Sequence, residues 1–258
     1  MKSLFPLAGS SSRYANLIAE IVRREGYEIY SEPMIGSGTV FFELCPQAAY
    51  INDIEPLTTN LYQLIKDDPE RLIDEVQKIS PVREEFKARQ ERIYGLDDIE
   101  RAAAWYFLLW LCYNGVVKQR DGLPYLTWGD RYLTWIDRFP YRAQHIRVAS
   151  IVLRDAEIYN GDYSLVPPAD IAFFDPPWIG SAEDYGVDFN HERLRDYLMT
   201  YPGKWILTIN KHEESERIYG PISIWEKRLD PYYSVAPSGR GKRQEILIAN
   251  FVPRMWGG

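Results

Sequence analysis

The chain is poor in the residues that bind metals or staple small folds. Its 258 residues include only two cysteines, Cys45 and Cys112, and three histidines. Two cysteines cannot build a disulfide framework, and so few soft ligands argue against a Cys/His metal centre; no metal is expected, and a reducing compartment fits. Long apolar runs are also missing. The segment Met1 to Gly9 is broken by Pro6 too early for a secretory core, and no later run is long enough to span a bilayer. These absences predict a soluble cytoplasmic protein. Internal repeats, low-complexity stretches and charged tails are absent as well.

The composition, 46% hydrophobic and 14% aromatic, is sufficient for a full core and predicts one domain with a sizeable insertion. A net charge of −7 argues at first against a nucleic-acid partner, but its distribution matters more than its sum. Residues 66–100 carry seven basic and eleven acidic side chains, whereas residues 113–154 carry seven basic and three acidic ones. The middle of the chain is electrically polarised.

Apolar side chains at Tyr14, Leu17, Ile18, Ile21 and Val22 have the spacing of an amphipathic helix that Gly26 ends. A strand over Glu28 to Ile35, a helix from Phe41, a strand over Ala49 to Asn52 and a helical face through Leu57, Leu61, Leu64 and Ile65 follow. Alternation of this kind predicts an α/β fold with a parallel sheet. From about residue 66 it stops, and helical spacing extends to about residue 149. We therefore expect a core domain formed by residues 1–65 and 150–258, with residues 66–149 a mostly helical insertion. Strands are expected again at Ser150 to Leu153, Asp170 to Phe174, Trp205 to Ile209, Ile222 to Lys227 and Glu245 to Phe251. A helix over 190–201 has Asn190 as its expected N-cap, with Phe189 stapling its first turn.

Asp175-Pro176-Pro177-Trp178 directly follows the apolar run Asp170 to Phe174 and offers what alkylation of an amino group on a flat base requires. An exocyclic amine is a weak nucleophile because its lone pair is delocalised into the ring. A carboxylate (Asp175) and a backbone carbonyl (Pro176) that accept its hydrogens favour the reactive, pyramidal form. Two prolines hold that backbone extended, and Trp178 can stack on the base. Ordinary loop chemistry, with Asp capping a turn and Pro ending a strand, is the alternative for these four residues alone.

Ser31 to Gly38 lies between a strand and a helix, and its Gly36 and Gly38 permit close approach of the backbone to a nucleotide-like ligand. A dinucleotide fingerprint would need a third glycine where Phe41 stands, which disfavours a dehydrogenase. Asp53 ends the second expected strand, where it suits ribose hydroxyls, and Asp155 ends the third, where it suits an adenine amino group. Capping the next helix is the alternative for each acid alone, but their shared placement at strand ends favours one common ligand.

In order, Ala8-Gly9, Glu32-Pro-Met-Ile-Gly36-Ser-Gly38, Asn52-Asp53-Ile54, Tyr113-Asn114-Gly115, Asp175 to Trp178, Leu207-Thr-Ile-Asn210 and Ser238 to Arg243 resemble the motifs of Dam-type DNA adenine-N6 methyltransferases over the whole chain. The resemblance implies the Rossmann-like S-adenosylmethionine-dependent methyltransferase sheet, with helices on both faces and a target-recognition region within the insertion. It implies cofactor contacts at Ala8, Gly9, Glu32, Gly36, Gly38, Asp53 and Asp155, a catalytic loop at Asp175, Pro176, Pro177 and Trp178, and a base pocket completed by Tyr185 and Phe189. The implied substrate is adenine in double-stranded DNA, swung out of the helix. Lys118, Arg120 and Arg131 in the insertion, with Arg240, Lys242 and Arg243 before the last strand, are the candidate phosphate or guanine contacts. A companion restriction enzyme is a partner the resemblance leaves open.

The chain departs from that family at Glu32 (usually Asp), Met34 (usually Phe) and Trp178 (usually Tyr). Gly9-Ser10-Ser11-Ser12-Arg13 stands in place of a Gly-Gly-Lys run, and Tyr125 to Gly129 lacks the usual Asn and Pro. The alternatives are an RNA adenine acceptor, since the Trp-ending loop also resembles that of RNA adenine methyltransferases, and a methyltransferase-like module that binds nucleic acid without turnover.

Overall fold

The computed structural model describes residues 3–7, 11, 13–120, 122–129, 135, 137–180, 189–229, 232–233 and 242–256, with the pairs 232–233 and 242–243 described by backbone alone. Strands β1 (Tyr30–Glu32), β2 (Ala49–Asp53), β5 (Ala156–Asn160), β6 (Ile171–Phe174), β7 (Lys204–Asn210), β8 (Trp225–Arg228) and β11 (Glu245–Ala249) form one sheet in the order β5-β2-β1-β6-β7-β11-β8. The five strands from β5 to β7 run parallel, and β11 is antiparallel to both its neighbours. Strand order reverses between β1 and β6, so the crevice beyond their carboxyl ends is where an open α/β sheet binds ligands.

Period-two alternation fills both faces. Ile171 and Phe173 of β6 enter one apolar cluster while Ala172 and Phe174 enter the other. The first cluster gathers helices α1 (Ala15–Glu25), α2 (Thr39–Leu44), α3 (Pro56–Asp67), α4 (Pro69–Gln77), α5 (Arg83–Glu91), α6 (Asp98–Leu111) and α7 (Phe139–Leu153). The second is covered by α8 (His191–Met199) and α9 (Glu213–Tyr219). Helix starts follow the expected cap chemistry: Asp97 accepts from the Glu100 amide, and Asn190 accepts from the Arg193 amide at 2.9 Å.

Two expectations are corrected. The segment Ser150 to Leu153 is the last turn of α7, whose Ile146, Ala149 and Leu153 are buried at helical spacing; the strand begins only at Ala156. The region 66–149 is helical for the most part, but it also holds a β-hairpin, β3 (Cys112–Arg120) with β4 (Leu123–Trp128). Lys118 and Arg120 therefore lie on a strand and not in a loop. Asn114 and Gly115 have positive φ (55° and 69°), and the register shifts between Cys112 and Val117, so Tyr113 to Gly115 form an irregular turn of backbone beside the hairpin. The short strands β9 (Tyr232–Tyr233) and β10 (Lys242–Arg243) pair with each other.

Candidate active site

A cavity of about 650 Å³ opens at the carboxyl ends of β1, β2, β5 and β6. A buried side-chain amide brings its loops together: Asn52 Nδ2 donates to the carbonyls of Pro33 (2.8 Å) and Gly161 (3.0 Å), joining the turns after β1 and β5. Asp53 Oδ2 accepts from the Gly36 amide and Oδ1 from the Glu55 amide, both at 2.9 Å. Asp53 thus shapes the glycine turn as well as lining the cavity. Gly38 has φ +65°, and a Cβ there would sit 2.8 Å from Tyr62 Oη and 2.9 Å from Phe42 Cε2, so only glycine fits. Phe41, at the place of a third glycine, is fully buried against Phe42.

Glu32 ends β1 and is 2% exposed; Tyr30 Oη donates to its Oε2 at 3.0 Å. Burial pushes its carboxyl well above the usual range and the nearby Asp175 adds to that, while Tyr30 and the Phe41 amide oppose it.

Asp175 follows β6 on the same side as Phe173. Its Oδ1 accepts from Thr208 Oγ1 at 2.6 Å and its Oδ2 from Ser11 Oγ at 2.7 Å. Burial raises the carboxyl to about 6, against the lowering effect of the two hydroxyls. Pro176 and Pro177 line the cavity, as does Trp178, which is 8% exposed. Asn210 clamps the far end of this loop like a strand partner: the Ile179 amide donates to Asn210 Oδ1 at 2.9 Å, and Asn210 Nδ2 donates to the Ile179 carbonyl at 3.1 Å. Phe189 also reaches the cavity and packs against Tyr163 and His191.

Glu32, Gly36, Asp53, Asp175 to Trp178 and Phe189 all line this one cavity. Asp155 does not. It precedes β5 instead of ending it, lies at the amino end of the strands, opposite the cavity, and is an exposed partner of Arg154 at 3.6 Å. The acid that follows β5 at its carboxyl end is Asp162, which lines the cavity. Arg193 donates to both its oxygens at 2.7 and 2.9 Å, and although burial opposes them, Arg193 and Ser164 hold its carboxyl below the usual value. Ser11, Thr208, Asn210 and Asp162 have no assigned role in the sequence reading.

Ala8, Gly9, Tyr185, Arg131 and Arg240 lie outside the described residues, and the side chains of Lys242 and Arg243 do too. Lys118 pairs across the hairpin with Tyr125, so Lys118, Arg120 and Tyr125 share one face, with the Arg120 guanidinium 5.6 Å from the Tyr125 ring. Val117 and Gln119, on the opposite face, line the cavity. The hairpin therefore joins a basic and aromatic surface to the wall of the pocket.

Five carboxylates (Glu32, Asp53, Glu55, Asp162, Asp175) and one guanidinium (Arg193) line the cavity, between apolar walls that include Met34, Ile35, Ile54 and Phe173. That lining favours a ligand with positive charge, hydroxyl donors and flat apolar faces. Among the described residues no cluster of His, Cys, Asp and Glu is arranged to hold a metal ion, and no helix is long and apolar enough to cross a membrane.

The family model of the D12 class N6 adenine-specific DNA methyltransferases matches residues 8–227. The chain is 28% identical over 256 residues to the type II methyltransferase M1.LlaDCHI of Lactococcus lactis subsp. cremoris, covering 88% of each protein. It is 26% identical over 210 residues to the type II methyltransferase M.MjaIII of Methanocaldococcus jannaschii, covering 69% of each. The crystal structure of a precorrin 8W decarboxylase from Methanobacterium thermoautotrophicum aligns over 98% of this chain and 100% of that one, at 13% identity and a TM-score of 0.40, too distant to bear on the site.

Proposed function

This chain belongs to the D12 class of N6 adenine-specific DNA methyltransferases, and we propose that it transfers a methyl group from S-adenosylmethionine, held in the carboxylate-lined cavity, to an adenine swung out of duplex DNA onto the Asp175 to Trp178 loop. The family selects DNA over RNA among the acceptors left open by the sequence, and an active enzyme over a silent module.

The observation that carries the proposal is the lining of the cavity, five carboxylates against one guanidinium, with Asp175-Pro-Pro-Trp178 in the same wall. The donor set fits the cofactor. Asp175 faces its positive charge, Glu32 lines its site, Asp53 accepts from ribose hydroxyls, Gly36 leaves room for its approach, and Asp162 takes over the contact expected of Asp155. Ala8 and Gly9 are proposed to complete its site. When bound, the cofactor supplies an electrophilic methyl whose bond to sulfur breaks with the electron pair left on sulfur.

On the base side, Asp175 and the Pro176 carbonyl accept the two N6 hydrogens and localise the nitrogen lone pair, while Trp178, Phe189 and Tyr185 hold the ring. Proximity and alignment supply much of the acceleration. The Lys118, Arg120 and Tyr125 face, together with Arg131, Arg240, Lys242 and Arg243, is proposed to hold the phosphates and read base edges, so binding weakens steeply with salt. Residues 66–149 act as the target-recognition region. The type II designation of both relatives supports a companion restriction enzyme as a partner, and the work on cellular DNA is proposed to be cytoplasmic.

The test is chemical. Unmethylated bacterial DNA incubated with the protein and CD3-labelled S-adenosylmethionine, then digested to nucleosides, is expected to yield labelled N6-methyladenine by mass spectrometry. Label on cytosine N4, or no label, would overturn the proposal.

The hydroxyl of Thr208 has its own consequence. It favours the ionised form of Asp175, so Thr208→Val, which keeps the shape and removes the donor, should leave Asp175 protonated to higher pH. The acid limb of the single-turnover rate is expected to move up by about one pH unit; an unmoved limb would show that the hydroxyl is idle.

A further inference from the structure

Glu245 opens β11, a strand buried along its whole length, and is itself 5% exposed. The fold makes no visible use of its carboxyl: among the described residues no hydrogen bond or ion pair to that group is found. The residue facing it from β8 is Leu229, whose amide donates to the Glu245 backbone carbonyl at 2.9 Å. Burying an acid costs stability, and an apolar residue would serve the core better.

Sheet register explains where the group lies. Phe174 pairs with Leu207, so Asp175 follows β6 level with Thr208, and Glu245 pairs directly with Asn210. By strand alternation Asp175, Thr208, Asn210 and Glu245 share one face of three neighbouring strands. Glu245 is the diagonal neighbour of Thr208, roughly 7–8 Å away along the sheet, and Thr208 bonds to Asp175. A second buried carboxyl thus stands behind the first, on the side away from the cavity, whose lining it does not join.

We propose that Glu245 is a positioning residue for methyl transfer: buried two strands from Asp175 on the same face of the sheet, its carboxylate, once ionised, adds its negative charge to that of Asp175 in stabilising the cation formed on N6. The inference rests on the role given to Asp175 above. Methyl transfer leaves N6 positively charged, with the methyl and two hydrogens. One hydrogen then departs as a proton while its bonding pair stays on nitrogen; Asp175 takes that proton and releases it to solvent.

Asp175 acts on Glu32 and Tyr30 of β1, both held toward their protonated forms by burial first; the Tyr30 bond opposes the Glu32 shift and the negative neighbours add to it. Lys227 of β8, paired with Leu247, is on the same face as Glu245, with its ammonium over the Trp256 ring. Arg13, before α1, attracts Glu245. Ser11, Thr208 and Asn210 are neutral. Burial, and then the charge of Asp175, push the Glu245 carboxyl up to about 8, with Arg13 opposing. Asp175 itself stands at about 6. The two therefore titrate as a coupled pair, in which the proton resides on Glu245 near neutral pH and Asp175 stays ionised to accept the N6 hydrogen.

Single-turnover methyl transfer measured from pH 5 to 10 tests this. The wild-type rate is expected to rise twice, once near pH 6 and again, by about fivefold, near pH 8. Glu245→Gln should show the first rise and lack the second, and Glu245→Asp, which keeps a carboxyl, should retain both. A Gln variant with both rises overturns the inference, as does a Gln variant slowed equally at every pH, or an Asp variant that lacks the second rise. Transfer by Asp175→Ala at the wild-type rate would instead sink the underlying assignment, so the two failures are distinguishable.

Discussion

Asp175→Ala should lower the single-turnover rate of methyl transfer by about 10²- to 10³-fold or more, the size of effect seen when one preorganised electrostatic partner is removed from a reacting centre. Affinity for S-adenosylmethionine should change by less than about tenfold, because Glu32, Asp53 and Asp162 remain in the cavity wall. Asp175→Asn is the sharper variant, since it keeps the shape and one acceptor for a hydroxyl, the other hydroxyl turning to accept from its Nδ2, but loses the charge. Wild-type activity should fall as pH drops through about 6, where Asp175 takes up a proton.

The same burial has a consequence for stability with the opposite sign. The folded carboxyl titrates at about 6 against an ordinary value of 3.8, so the ionised form is less stable in the fold than in the unfolded chain. The cost is absent below pH 3.8 and fully present above 6, at up to about 3 kcal/mol. Asp175→Asn should therefore melt at a higher temperature than the wild type at pH 8 and lose that advantage near pH 4. A variant both inactive and less stable at pH 8 would mean that the carboxylate mainly holds the fold together.

Trp178→Ala carries the second large effect. Stacking of a base on an aromatic face contributes roughly 1–3 kcal/mol, and extrusion of an adenine from a duplex costs a few kcal/mol. Removing the indole should lower kcat/KM for duplex DNA by about 10- to 100-fold. Trp178 also packs in the second apolar cluster, so some loss of stability will accompany the change. Two comparisons isolate the stacking. Trp178→Phe should recover most of the activity, and a substrate with a mismatch opposite the target adenine, which is cheaper to unpair, should rescue the Ala variant more than the wild type. Equal loss on matched and mismatched duplexes would assign Trp178 to the core alone.

Much of this site is legible from residue order. Parallel strands deliver their following residues to one end of a sheet, so Glu32, Asp53 and Asp175, each ending or following an apolar strand, converge without knowledge of the packing. Asp155 fails for a physical reason. Ser150 to Leu153 is rich in β-branched residues, yet it closes the long helix α7, while the true strand, Ala156 to Asn160, is a half-polar edge strand with a weak apolar signal. The hairpin escaped although Asp121-Gly122 is a recognised turn signal and Gly122 has φ +75°, because the polar run Lys118-Gln119-Arg120 before it breaks the apolar alternation of a strand. Thr208 and Asn210 interrupt an otherwise apolar central strand on one face, and Glu245 opens a wholly buried one. Polar residues at such positions mark function, but their partner is settled only by strand register, which a single sequence does not encode. The N-terminal Ser11 contact to Asp175 spans 164 positions and has no local signal at all.

The central claim is that Asp175 receives the amino group of an extruded adenine beside the cofactor. The most direct measurement is a crystal structure of the protein with S-adenosylhomocysteine and a duplex carrying its target site. The adenine should lie outside the helix, against Trp178, with N6 about 3 Å from Asp175 and from the Pro176 carbonyl. An adenine seated elsewhere in the protein, or N6 bonded to other groups while Asp175 keeps only Ser11 and Thr208, would contradict the account.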